Sequence, residues 1–187
     1  DVFEEQGVPF TPFHGGFGLV ANGCITKPTF WTFAFYKKLE ESEANCVYKD
    51  DNIVVLKRAN GDYLGVAWNI ARKSTEQGKE KMLLEFTFPA EQEEYCFLTK
   101  TVDEETCNPL KVWHDMGEPA NLSEEQTKLI RESSRPFVKT ERKKQEDGNI
   151  CVELPVNKNG VVYFELNAGK VNPDRGYDYD RVVSLKA

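Results

Sequence analysis

The chain has 187 residues, 40% of them hydrophobic and 12% aromatic, with 24 basic against 31 acidic side chains and a formal charge of −7. This composition supports a packed core and excludes disorder as the main state; the acidic balance argues against nucleic acid or an anionic membrane as the chief partner. No run approaches the ~20 apolar residues that a membrane-spanning helix needs.

The first 23 residues read as loop, because Gly7, Pro9, Pro12, Gly15, Gly16, Gly18 and Gly23 interrupt any long regular element. Asp1, Glu4 and Glu5 precede the aromatic, glycine-rich stretch PFTPFHGGFG. Next comes TKPTFWTFAFYKKLEE, a predicted helix with Thr26 as its cap, Pro28 in the first turn, and Lys37 and Lys38 near its end. Phe30, Trp31, Phe33, Ala34, Phe35, Tyr36 and Leu39 spread around more than one of its faces. A helix this apolar is expected to be covered on more than one side.

From Cys46 the pattern changes to strands. NIVVLKR and YLGVAWNI flank ANGD, a hairpin signal; KMLLEFTFP and EYCFLTKTV follow on either side of Pro89. Later PFVKTERKKQ and ICVELPV flank EDGN, and VVYFELNA follows NKNG. Short apolar runs punctuated by three Asn-Gly or Asp-Gly turns predict a mainly β fold, an antiparallel β-sandwich.

Between the strand groups a helical insertion is expected at about 108–135. Leu110, Trp113 and Met116 share one helical face, and Gly117 with Pro119 ends that segment. Ser123 then caps EEQTKLIRESS, with Arg131 in its last turn and Leu129 and Ile130 as its main apolar contacts, a helix expected to lie on the sheet. The tail GKVNPDRGYDYDRVV is polar and rich in turns before a short candidate strand.

Cys24, Cys46, Cys96, Cys107 and Cys151 are odd in number and lack metal-ligand or redox spacing. They are expected to be buried free thiols of a reducing compartment, which points to the cytoplasm. The two histidines, His14 and His114, are far apart and form no metal signature; His114 reads as an exposed helical residue. No cofactor or metal is expected. Trp68 alternates within a strand and reads as core.

With these elements placed, DVFEEQGVPFTPFHGGFGL…ITKPTFWTFAFYKKL resembles the end of the catalytic barrel of glycoside hydrolase family 39, the β-xylosidase and α-L-iduronidase family, on its β-xylosidase side. VWHDMGEPANLSEEQTKLIRESSRP resembles the helical stretch in that family's C-terminal sandwich, and NICVELPVNKNGVVYFEL its closing strands. The resemblance implies that residues 1–45 are the remnant last loop and helix of a (β/α)8 barrel, and residues 46–187 a sandwich domain. It also implies a longer parent that hydrolyses xylosides or xylo-oligosaccharides with retention.

Retention needs two carboxyls ~5–5.5 Å apart. The family carries them in an Asn-Glu and a Thr-Glu-Trp-type motif, neither of which occurs in these residues. No catalytic residue is therefore expected here, and the chain alone is expected to be inactive.

On composition Glu4 and Glu5 read as a solvated acidic loop. The resemblance makes them contacts to sugar hydroxyls, which ionised carboxylates bind strongly. Phe3 and Phe17 either stack on a sugar or anchor the loop, and His14 either touches substrate or donates to the loop backbone. The barrel of the same polypeptide is the implied partner, and a homo-oligomer is expected. The rival reading is a carbohydrate-binding or oligomerisation module that holds polysaccharide through Trp31, Trp68 or Trp113.

Overall fold

The computed structural model describes residues 11–13, 18–70 and 81–169. A small hairpin of β1 (Val20–Ala21) and β2 (Ile25–Thr26) leads into helix α1 (Pro28–Glu40). Strands β3 (Asn45–Lys49), β4 (Ile53–Lys57), β5 (Tyr63–Asn69), β6 (Lys81–Pro89) and β7 (Glu94–Val102) follow. Two helices come next, α2 (Pro109–Asp115) and α3 (Glu124–Ser133), then β8 (Phe137–Lys144), β9 (Asn149–Asn157) and β10 (Gly160–Ala168). All strand pairs are antiparallel, in a sheet ordered β3-β4-β5-β10-β7-β8 and a ribbon of β6 and β9.

The ribbon lies across one face of the large sheet and makes the sandwich. Phe88, Ile150, Val152, Leu154 and Val156 from the ribbon meet Ile53, Val55, Tyr63, Ala67, Phe97, Val162, Phe164 and Leu166 from the sheet. On the opposite face α1 contributes Phe35 and Leu39 to a cluster with Leu64, Val66, Val102 and Tyr163; Phe35 stacks on Tyr163 at 5.4 Å. The two central strands, β5 and β10, are therefore covered on both sides and read as nearly continuous apolar runs. Strand β9 has one covered face and alternates strictly between buried and open positions.

The three glycine turns do different jobs. ANGD closes the true β4–β5 hairpin, with the Gly61 N–H donating to Arg58 O (3.0 Å) and Gly61 at φ +90°. Asp147 and Gly148, both left-handed, make the tight two-residue turn of EDGN, yet β8 and β9 then diverge into different sheets. Asn159 is also left-handed, and β9 and β10 part in the same way. Two of the three turns are thus corners of the sandwich rather than hairpins.

Several sequence expectations need correction. The helix cap is Lys27, with extended backbone and no capping side chain, because Thr26 belongs to β2 and spends its hydroxyl elsewhere. Pro28 does occupy the first turn, where its missing N–H costs nothing. Among the described residues α1 is covered on one face only: Phe33 is 64% and Tyr36 44% exposed. In α2 Trp113 is buried but Leu110 is open. In α3 Ile130 is fully buried while Leu129 is exposed, since adjacent helical residues point ~100° apart. Ser123 caps α3 as expected, within a capping box completed by Gln126.

Helix α3 also does not lie on the main sheet. Ile130 packs with Trp113 of α2 and Ile25 of β2 in a separate cluster. Finally, the five thiols are free, but only Cys107 is buried. The candidate strand and turns of the tail lie outside the described residues.

Candidate functional site

Glu4, Glu5, Phe3, His14 and Phe17 lie outside the described residues. What the structure shows is how the chain on either side of residues 14–17 is held, and both flanks meet the helical insertion.

On the N-terminal flank Pro12 is buried and Phe13 packs its ring against Trp113, with centroids 5.7 Å apart at 56°. Trp113 is itself fastened, its indole N–H donating to Pro119 O at 3.0 Å. On the C-terminal flank the β1–β2 turn is pinned to α3. Arg131 donates from Nε (3.1 Å) and Nη2 (2.6 Å) to the carbonyl of Gly23. Gly23 has φ +78°, and a Cβ there would stand 2.9 Å from Thr127 Cγ2, so the turn sits directly on the helix. Next in the chain, Ile25 is fully buried between Trp113 and Ile130.

The two ends of this arrangement converge on Ser134, which caps the C-terminus of α3 and is 2% exposed. Its carbonyl lies 2.6 Å from Trp31 Nε1, 3.1 Å from Cys107 Sγ and 3.2 Å from Thr26 Oγ1. Its hydroxyl donates to Arg131 O at 2.7 Å and lies 3.0 Å from Thr26 Oγ1. A carbonyl has two lone pairs. The balanced assignment gives these to Trp31 and Cys107, and sends the Thr26 proton to the Ser134 hydroxyl. One residue thereby ties together β2, α1, the segment before α2 and the end of α3.

This junction orients chain segments and offers no acid or base. Its thiol, Cys107, is pushed up to about 12, first by burial and then by the nearby Asp103 carboxylate, so it stays protonated at neutral pH. Native-state alkylation read by mass spectrometry is therefore expected to label Cys24, Cys46, Cys96 and Cys151 while sparing Cys107. Equal labelling of Cys107 would mean that the junction opens freely.

The tryptophans of the rival reading are all engaged in packing. Trp113 is 6% exposed beneath Phe13. Trp31 donates to Ser134 O and meets Phe30 edge-on at 5.2 Å. Trp68 packs against the α1-side cluster, the core role expected of it. His114 is half exposed and pairs with Glu118 at 2.5 Å, also as expected of a helical surface residue.

A groove of about 260 Å3 runs beside β7, β8 and β9 and includes Thr99, Thr101, Lys139 and Asn157 in its lining. Its polar groups are largely committed to one another. Asp103 accepts from Thr106 Oγ1 and Asn157 Nδ2, both at 2.8 Å, and Glu141 is paired with Lys139 and Lys143.

Comparison with known proteins bears on what these held segments belong to. Residues 1–151 match the family described as "Glycosyl hydrolases family 39". The chain belongs to glycoside hydrolase family 39. A β-xylosidase of Geobacillus stearothermophilus is 34% identical over 166 residues, which are 89% of this chain but 32% of that protein. The family 39 chain thus spans about a third of the length of the curated relatives it matches.

Among solved structures, the family 39 enzyme from Xanthomonas axonopodis pv. citri superposes with a TM-score of 0.71 at 23% identity, covering 89% of this chain and 35% of that one. A monomeric β-xylosidase from Caulobacter crescentus gives 0.70 at 23% identity, covering 90% and 36%. At those identities the likeness shows the fold: a β-rich region of a family 39 enzyme.

The contacts made by Arg131, Ser134 and Gly23 were not visible in the sequence. Arg131 looked like an ordinary cation near a helix end, and nothing local indicates that its partner lies 108 positions earlier.

Proposed function

We propose that this family 39 chain is the C-terminal portion of a retaining β-xylosidase-like hydrolase acting on xylosides or xylo-oligosaccharides. Residues 1–45 would supply the last barrel loop and helix, and residues 46–187 an accessory sandwich. The supporting observation is the combination of a family match from residue 1 with coverage of only 32–35% of the β-xylosidases it resembles.

In that reading the acid/base and nucleophilic glutamates belong to the rest of the polypeptide. Glu4 and Glu5 then act as acceptors for hydroxyls of the terminal sugar, on a loop at the end of a barrel where such sites are built. Phe3, His14 and Phe17 complete or anchor that loop. The cytoplasm remains the proposed location.

Two measurements test this. The 187-residue chain alone is expected to show no turnover of an aryl β-xyloside. In the full-length enzyme, Glu4→Gln or Glu5→Gln is expected to lower kcat/KM by roughly 10–100-fold, the scale of a lost hydrogen bond to a charged group. Turnover by the isolated chain would remove the upstream glutamates from the account, and unchanged kcat/KM in both variants would remove the acidic loop from the site.

The exposed Phe33 and Tyr36 of α1 suit a surface covered by the remainder of the polypeptide. The isolated chain is accordingly expected to self-associate at micromolar concentration. Light scattering that shows a clean monomer would oppose this. The rival binding module requires measurable affinity for xylo-oligosaccharides, and calorimetry on the isolated chain separates the two.

A further inference from the structure

We propose that the seam between α1 and the large sheet binds a small, multiply charged oxyanion, held between the ammonium groups of Lys38 and Lys100 with Arg58 beside them. Among the described residues this seam gathers three cations around one carboxylate, that of Glu165. Lys38 lies in the last turn of α1, with its ammonium 5.2 Å from the centre of the Tyr163 ring. Lys100 stands directly opposite Tyr163 in the β7–β10 pairing, so its side chain leaves the same face of the sheet. Arg58 follows β4 and points toward the same carboxylate as Lys38.

That carboxylate is already engaged. Glu165 Oε1 accepts from the Tyr163 hydroxyl at 2.5 Å, and Oε2 accepts from Asn167 Nδ2 at 3.1 Å. Lys38 and Arg58 stand further off, at 3.9 and 3.8 Å. Lys100 forms no ion pair among the described residues, although it is only partly exposed and lies beside the ammonium of Lys38. Burial, and then the like charge of Lys38, hold Lys100 below the ordinary lysine range.

A sheltered cation without a counter-charge is costly, and folded proteins ordinarily answer it with an anion. An oxyanion with several acceptor oxygens meets that need, because it takes charge-assisted hydrogen bonds from both ammonium groups at once. On the far side of Lys100 the paired position in β8 is Val138, which is 52% exposed, so the seam is open to solvent there. The chain as a whole carries −7 and repels anions, so uptake of one requires a local site of this kind. A bound oxyanion would join the last turn of α1 to β7 and so fasten the helix that carries Phe33 and Tyr36.

The test uses the 187-residue chain, with inorganic phosphate as the probe and sodium chloride at matched ionic strength as the control. Phosphate at about ten times its Kd is expected to raise Tm by roughly 3–6 °C over the chloride value. Lys100→Met and Lys38→Met each keep an apolar stem while removing the charge, and each is expected to weaken phosphate binding roughly 10–100-fold in calorimetry. A Tm near the parent's in chloride shows that the variant has folded. Lys128→Met, at an exposed position of α3, should bind phosphate like the parent. No rise in Tm beyond that in chloride overturns the site, and so does binding that survives both seam substitutions unchanged. In the full-length enzyme the same Lys100-dependent binding is expected. Its loss there would mean that a carboxylate of the remaining polypeptide answers the two lysines, and would overturn a site for a free anion.

Discussion

Gly65→Ala is expected to be among the most damaging single substitutions in this chain, lowering stability by about 3 kcal/mol, the upper end for overpacking a core. Gly65 sits in β5 opposite Phe164 of β10, and a Cβ there would be 2.4 Å from both Phe164 Cζ and the carbonyl oxygen of Val54. The ring could in principle swing aside, but it is fully buried and packed against Phe86 and Phe97 at 5.7 and 6.2 Å. The Val54 carbonyl belongs to the neighbouring strand and cannot retreat without breaking the β4–β5 pairing.

For a chain of this size, 3 kcal/mol corresponds to a fall of roughly 6–12 °C in Tm. Phe164→Leu in the alanine background should recover part of the loss, because a smaller side chain frees the space above position 65. A Tm for Gly65→Ala indistinguishable from the parent would show that the aromatic does not lie over the glycine.

Trp113→Ala is expected to act with similar force on a different part of the molecule. Among the described residues, the indole is the centre of a small cluster with two other fully packed members, Ile25 and Ile130, and Phe13 over one face. Truncating a buried tryptophan costs ~3–5 kcal/mol, more than so small a cluster can lose while remaining closed. The sandwich core on the other side of the large sheet shares none of these residues. The result should therefore be local opening rather than global collapse. Limited proteolysis is expected to cut between 108 and 135 in the variant and to leave the β6–β9 ribbon protected. Trp113→Phe, which keeps an aromatic ring, should behave close to the parent. Unchanged protease resistance of Trp113→Ala would place the stability of the insertion elsewhere.

These two sites illustrate how the molecule divides its labour. The sandwich and α1 are held by area, in two clusters on either side of one sheet. The insertion and the β1–β2 turn are held by a small apolar plug and a set of directed hydrogen bonds centred on Ser134 and Gly23. Directed bonds tolerate less misplacement than apolar contact does.

Local chemistry alone determined a large part of this protein. Strand positions followed from β-branched and aromatic runs between Asn-Gly and Asp-Gly turns, Pro28 and Ser123 marked helix starts, and the family was legible in an ordered set of motifs along most of the chain. Each depends on residues close in sequence, where spacing and backbone preference act directly. Only the tertiary structure decided which turns were hairpins, because an Asn-Gly or Asp-Gly pair reverses the chain whether its strands stay together, as at Gly61, or part, as after Gly148. The same holds for burial: Leu129 and Ile130 are equally apolar, and only the arrival of Ile25 and Trp113 determines which is inside. The junction of Arg131 with Gly23, and of Thr26 with Ser134, was beyond sequence reasoning for a related reason. A hydrogen bond between residues 108 positions apart leaves no periodicity in either segment, and exists only once the sheet between them has folded.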